Sequence, residues 1–289
     1  MIHKFQLNGY NLVLDVNSGA VHVFDDLSYE MLDYLKPPMA VECPSNILKV
    51  FGEKYGEETV RAVYSEILEL YNMEQLFSAD DYEQFADRMV AAPVKAMCLH
   101  IAHDCNLRCN YCFAAQGDFG GERKLMPLEI GKKAIDFLIQ NSQGRRNLEL
   151  DFFGGEPLMN FDVVKAIVAY AREQEKIYDK NFRFTITTNG LLLSDDKIDF
   201  INQEMSNVVL SIDGRKEIND QLRVRVDGSG SYDSILPKYQ RLVEKRGRDQ
   251  YYGRGTFTKY NLDFAQDVEH LYACGFDQIS IEPCVSDSE

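Results

Sequence analysis

The sequence contains no tryptophan, only five histidines and eight prolines in 289 residues, and fewer basic than acidic side chains, 31 against 46. A formal net charge of -15 removes the lysine and arginine surplus that displaces counterions from a phosphate backbone, which excludes nucleic acid as a general partner. Long apolar runs are missing too. No stretch approaches the roughly 18–20 residues that cross a bilayer, and the opening MIHKFQLNGY lacks the basic-then-apolar pattern of a signal peptide. These absences imply a cytoplasmic protein with no membrane partner. What is present is ordinary for a globular chain: 45% hydrophobic and 27% charged residues, in a length that suits two domains.

The order of patterns divides the chain into three parts. Over residues 1–75, Phe5 and Leu7, then Leu12, Leu14 and Val16, then Val21 and Val23 alternate with polar neighbours, with turns at Asn8-Gly9 and Asn17-Ser18-Gly19. Helical spacing follows, with Ser28 as a candidate cap and Pro37-Pro38 as a stop, and again from Val60 to Leu70 after Gly56. Residues 76–93 read as a helical bridge from Ser78 to Met89, ended by Ala91-Ala92-Pro93. Residues 94–289 alternate strand and helix. The predicted strands are Ala96–Ala102, Leu148–Phe153, Arg183–Thr187, Asn207–Ile212, Gly255–Thr258 and Gln278–Glu282. Such alternation implies an α/β fold of parallel strands joined by right-handed crossovers, with its site at the carboxyl ends of the strands.

Seven cysteines occur, and without an export signal they do not suggest a disulfide framework. Cys105, Cys109 and Cys112 crowd into the loop after the first strand of the second domain, spaced by three residues and then two. Thiolates this close repel one another unless a cation or cluster neutralises them. Three thiolates can hold three irons of a cubane and leave the fourth without a protein ligand. A zinc site would need a fourth ligand, for which Cys98, His100 and His103 are nearest, but the paired spacing of zinc ribbons is absent. Cys43, Cys98 and Cys274 read as buried small hydrophobes; Cys284, after the last strand, has a substrate or second-cluster role as its functional alternative.

At these residues the chain resembles the radical S-adenosylmethionine (SAM) superfamily, whose signature is this three-cysteine spacing with an aromatic, here Tyr111, before the last cysteine. The resemblance implies a partial (β/α)6 TIM-like barrel preceded by a small winged-helix-like α+β domain. Its implied cofactors are a [4Fe–4S] cluster on the three cysteines and SAM at the open iron, with a flavodoxin-like or ferredoxin-like electron donor. Gly154-Gly155-Glu156-Pro157 resembles the superfamily's GGE motif, where glycines admit a close approach and a carboxylate suits the SAM ammonium. Asn189 and Ser211, after the third and in the fourth strand, resemble ribose and carboxylate contacts, although both stretches also suit turns. Arg223, with Arg225 as a competitor, resembles a partner for the SAM carboxylate, and Glu282 with its neighbours resembles an adenine-pocket wall.

The stretches Ala102–Cys109, Gln116–Arg123 and Arg254–Asn261 narrow the resemblance to the maturases of SCIFF (six cysteines in forty-five) peptides, which form thioether crosslinks in ribosomally made precursors. That implies a precursor peptide as partner, its leader added as a strand beside Ala20–Phe24 of the first domain. Members normally continue into a SPASM-type domain with auxiliary clusters. This sequence stops at Ser286-Asp287-Ser288-Glu289, so the auxiliary cysteines are missing, with SAM cleavage expected to survive and crosslinking to fail if the chain is truncated. The alternatives are a radical SAM enzyme with another protein substrate, such as a sulfatase, and a leader-binding protein without crosslinking activity.

Overall fold

The computed structural model describes residues 1–85 and 92–285. The chain divides into two compact units, Met1–Ala92 and Pro93–Glu289.

The first unit opens with an antiparallel sheet of β1 (Ile2–Leu7), β2 (Tyr10–Asp15) and β3 (Val21–Phe24), in that spatial order. Asn8 and Gly9 both take positive φ, 51° and 82°, which is what a two-residue hairpin turn between twisted strands demands. Three helices follow: α1 (Asp26–Met31), α2 (Ser45–Tyr55) and α3 (Glu57–Asn72). The cap of α1 is Asp25 and not Ser28; the Asp25 carboxylate accepts the Ser28 N–H at 2.7 Å, a stronger acceptor than a hydroxyl. Val13 of the sheet meets Met31, Ile47, Phe51, Val60 and Ile67 in a closed apolar core. Of the predicted bridge, Tyr82–Phe85 forms a short 3₁₀ turn, and residues 86–91 lie outside the described residues.

The first unit does not end at residue 75, because Ser78 is tied back to β2. Asp15 is fully buried; its carboxylate accepts the backbone N–H groups of Asn17, Ser18 and Ser78 at 2.9–3.1 Å, and the Ser78 hydroxyl as well. Burial alone would raise this carboxyl, but the donors from Ser18 and Ser78 outweigh it and hold the pKa at about 2, against an ordinary 3.8. The native state therefore favours the ionised form. Its stabilisation is complete above the ordinary value and is lost as pH falls through about 2. Native-state hydrogen exchange of β2 should show opening become easier by about 2 kcal/mol across that window, and Asp15→Asn should remove that part of the slope.

The second unit carries a seven-stranded sheet in the order β10-β9-β8-β7-β6-β4-β5. Its strands are β4 (Ala96–His103), β5 (Lys124–Leu125), β6 (Asn147–Gly154), β7 (Asn181–Thr188), β8 (Met205–Ser211), β9 (Tyr251–Phe257) and β10 (Ile279–Pro283). All neighbours are parallel except β5, which runs antiparallel to β4 and is too short for any period to announce it. The helices are α4 (Leu128–Asn141), α5 (Phe161–Tyr178), α6 (Asp195–Glu204), α7 (Lys216–Leu222), α8 (Tyr232–Lys245) and α9 (Ala265–Ala273). Among the described residues no helix is long and apolar enough to cross a membrane.

Successive parallel strands sit side by side without a switch in order, so right-handed crossovers put the helices on one face. Leu148, Leu150 and Phe152 of β6 face that side with Phe182, Phe184 and Ile186 of β7, packed on Ile135, Val164, Ile167 and Ile198 of the helices. The alternate residues, among them Glu149, Asp151 and Phe153, lie on the opposite, inner face and are only half-buried. This alternation distinguishes the sheet from a doubly covered one, whose strands are apolar on both sides.

Strand β9 starts four residues before its predicted Gly255. Its sequence, YYGRGTF, carries two glycines and an arginine that weaken the strand pattern. Packing explains one of them: a Cβ on Gly255 would meet Ile281 at 2.7 Å and the Ile212 carbonyl oxygen at 2.8 Å. Helix α7, KEINDQL, escaped prediction because only Ile218 and Leu222, one turn apart, mark a buried stripe.

Candidate active site

The cysteine loop leaves the carboxyl end of β4 and is held from two sides. Leu107, nearly fully buried, forms an isolated antiparallel bridge with Arg225, while Arg108 N–H donates to the Val224 carbonyl at 2.7 Å and Asn110 N–H to the Leu222 carbonyl at 2.9 Å. The segment that follows α7 is thus stitched along the loop. On the other side Gly155 N–H donates to the Ala102 carbonyl at 2.8 Å and Glu156 N–H to the Asp104 carbonyl at 2.9 Å. A Cβ at Gly155 would lie 2.1 Å from the Asp104 oxygen, and one at Gly117 would lie 2.6 Å from Cys105 Cβ. These glycines serve the approach of chain to chain; the ligand approach that the sequence suggests for Gly155 is not what makes a side chain impossible there.

Cys105, Cys109 and Cys112 are free thiols that line one cavity at the strand ends, together with Tyr111, Gly154, Gly155, Glu156, Asn189, Ser211 and Arg223. Glu282 is not brought there. It stands exposed on β10 and pairs with Arg254 of β9. Glu156 is completely buried, and its carboxylate accepts Leu158 N–H at 3.0 Å, the Thr188 hydroxyl at 2.8 Å and Asn189 N–H at 2.7 Å. It thereby joins the end of β6 to the end of β7. Asn189, so placed, donates from its side chain to Asn106 at 2.8 Å and toward Cys105 Sγ at 3.5 Å. Burial pushes the Cys105 thiol up to about 12, with the charge of Glu156 adding to it, and burial likewise raises Cys109 against the pull of Arg223.

Under Cys109 lies a polar set that sequence reading only partly found. Tyr111 donates its hydroxyl to Asp213 at 2.8 Å, Arg223 Nη1 donates to the Tyr111 oxygen at 2.6 Å, and Thr256 N–H donates to Asp213 at 3.1 Å. Asp213 is 1% exposed, so the set is sealed from water on that side. Burial works against charge on Arg223, but Tyr111, Cys109 and Asp213 around it keep its pKa well above the ordinary arginine range. Its Nε is buried and has no hydrogen-bond partner. A fixed positive charge in the wall of this cavity is a receptor for an anion.

Several contributors carried little sequence signal. Tyr239 of α8 crosses behind the sheet and donates to the carbonyls of Thr188 at 2.9 Å and Ser211 at 3.2 Å, which ties the ends of β7 and β8. Gly190 makes room for it, since a Cβ there would lie 2.4 Å from its ring. Phe113 and Phe153 also line the cavity; Phe153 directly precedes the Gly-Gly pair, the one clue that was available.

The zinc alternative loses its ligands. His100 and His103 pack on the Phe119 ring, with centroids 4.4 and 4.9 Å away, and Cys98 lies exposed on the inner face, contrary to its expected burial. Among the described residues no three His, Cys, Asp or Glu side chains converge on a single ion. Three thiols around a cavity, an arginine in its wall and, among the described residues, no fourth thiol lining it fit a cluster with an amino-acid ligand better than a closed tetrahedral site. Cys43 and Cys274 are half-buried, and Cys284 lies with Cys112 along a second cavity at the rim.

Fold and site together define a barrel-type α/β enzyme that works through an iron–sulfur loop at its strand ends. A family model described as the Radical SAM superfamily matches residues 99–268, more than half of the chain. The chain belongs to the radical SAM superfamily, whose cofactors are SAM and a [4Fe–4S] cluster. It is 22% identical over 282 residues to the radical SAM cyclopropyl synthase TigE of Paramaledivibacter caminithermalis, covering 90% of this chain and 58% of that one. With the cysteine-type anaerobic sulfatase-maturating enzyme of Clostridium novyi it shares 25% identity over 173 residues, 58% of this chain and 44% of that one. The solved structure of anSMEcpe with bound AdoMet and a Cp18Cys peptide aligns at a TM-score of 0.59 and 19% identity, covering 67% of this chain and 52% of that one. The chain spans about half the length of the curated relatives it matches.

Proposed function

We propose that this chain is a radical SAM peptide maturase that forms a thioether crosslink from cysteine in a ribosomally made precursor, whose leader is captured by the first unit, residues 1–75 being its winged-helix-like recognition element. Cys105, Cys109 and Cys112 hold the cluster, and Arg223, in the wall of the same cavity, takes the SAM carboxylate. Tyr111 and Asp213 keep that arginine charged and in place. Glu156 and Asn189 orient the strand ends over the same cavity, and Gly154 and Ser211 complete the proposed cofactor surroundings. When bound, the cluster and SAM supply a 5′-deoxyadenosyl radical.

The observation that carries the peptide reading is the open edge of β3. This strand pairs with β2 on one side, and no described strand pairs with the other. Asp15 N–H donates to the Ala20 carbonyl, so by alternation the N–H groups of Val21 and Val23 point away from β2. Both valines are more than 60% exposed. An unblunted apolar edge is a template for an added strand. The alignment with the cyclopropyl synthase, at 90% of the chain, extends through the first unit as well as the second.

The test uses a Val23→Pro variant, which removes one outward donor and leaves the β2 ladder intact. With a six-cysteine precursor, SAM and a reductant, the wild type should transfer hydrogen from peptide to 5′-deoxyadenosine and yield a product lighter by two hydrogens per crosslink, one leaving as an atom and one as a proton whose electron would return to the [4Fe–4S] cluster that SAM cleavage leaves oxidised. The variant should lose about tenfold or more in peptide modification while peptide-free SAM cleavage is unchanged. Equal modification by both would favour a protein substrate read by the barrel alone.

A further inference from the structure

The inner face of the second unit places Cys98, Asp151, Thr185 and Asn207 side by side, because Cys98 pairs with Asp151, Asp151 with Thr185 and Thr185 with Asn207 in strand register. Two residues further along β6, on the same face, Phe153 lines the cysteine cavity. At about 3.3 Å per residue, Asp151 therefore stands roughly 6–7 Å below that cavity. Its Oδ1 is buried and has no hydrogen-bond partner, and the same holds for Asn207 Oδ1 in the same row. Arg254, whose charge acts on Asp151, is already paired with Glu282 and makes no hydrogen bond to it.

A buried carboxylate oxygen without a donor costs about 1–3 kcal/mol or more, and native structures rarely keep one that nothing will use. A peptide drawn onto this face has the matching difficulty, since its backbone N–H groups lose water and must find acceptors. Both deficits vanish if the two meet. We propose, resting on the maturase reading, that Asp151 is a substrate-positioning residue: with Asn207 it accepts hydrogen bonds from backbone N–H groups of the peptide segment that carries the reacting carbon, fixing that carbon beneath the cavity.

The reconstituted protein is assayed with SAM, a reductant and a six-cysteine precursor deuterated at its carbon-bound positions, in wild-type form and as Asp151→Leu, Asp151→Asn and Asn207→Leu. Asp151→Leu should melt no lower than wild type, since it removes an orphan, and should cleave SAM without peptide at a rate within about twofold of it. Its KM for deuterium transfer into 5′-deoxyadenosine should rise by about tenfold or more, one hydrogen bond's worth, with a smaller change in kcat. Asp151→Asn, which keeps an acceptor, should fall between, and Asn207→Leu should raise KM in the same direction. An unchanged KM in Asp151→Leu and Asn207→Leu overturns the assignment, as does a lowered melting temperature in every variant with peptide-free cleavage lost in proportion. A wild type that cleaves SAM but takes no deuterium from the peptide instead overturns the maturase reading, and this assignment with it.

Discussion

Replacing any one of Cys105, Cys109 and Cys112 by alanine should leave a protein that folds but retains about a tenth or less of the wild-type iron and forms no detectable 5′-deoxyadenosine. The effect is all-or-none because the loop offers no substitute. Cys98 and Cys284, the next thiols, do not line this cavity, and the two nearby histidines pack against Phe119. Folding should survive, since the loop is held by backbone pairing to Leu222, Val224 and Arg225 and by the buried Leu107, none of which involves a thiol. Circular dichroism and iron analysis of the same anaerobic preparations separate the two outcomes. A single variant that keeps full iron and full SAM cleavage would show that its cysteine is not a ligand.

The second large effect belongs to Arg223. Arg223→Met removes a guanidinium from the cavity wall and the positive charge paired with Asp213. A charge-assisted hydrogen bond in a sealed site is worth roughly 1.5–3 kcal/mol, so the KM for SAM should rise on the order of ten- to a hundredfold. The iron content should stay near wild type. Arg223→Lys should recover only part of the loss, because an ammonium cannot serve Tyr111 and a carboxylate from one planar fork. Unchanged SAM affinity in the methionine variant, measured by isothermal titration, would remove Arg223 from the binding site.

The cysteine loop and the strands that carry it were legible because both depend on local pattern: three thiols in eight residues, and apolar alternation in β4, β6, β7 and β8. Arg223 was found as one of two neighbouring arginines, and the structure separates them, with Arg223 in the cavity and Arg225 hydrogen-bonded to Ser234 outside its lining. What stayed hidden was long-range. Nothing local in Asp213-Gly214 announces that the carboxylate will sit under Tyr111, 102 residues earlier, and nothing in α8 marks Tyr239 as the tie between two strand ends. The packing of the Asp104 carbonyl against Gly155 is invisible in one dimension, where the glycine pair suggests only room for a ligand. Glu282 closes the last predicted strand, and the alternation of β10 turns it toward Arg254.

The central claim is a cubane held at three corners, with its fourth iron open to an amino-acid ligand. Mössbauer spectroscopy of the iron-reconstituted protein, recorded before and after addition of SAM, tests it most directly. One iron of each cluster should change its isomer shift when SAM is added, and the other irons should not. A spectrum that SAM leaves untouched, or a protein that takes up zinc in place of iron, would contradict it.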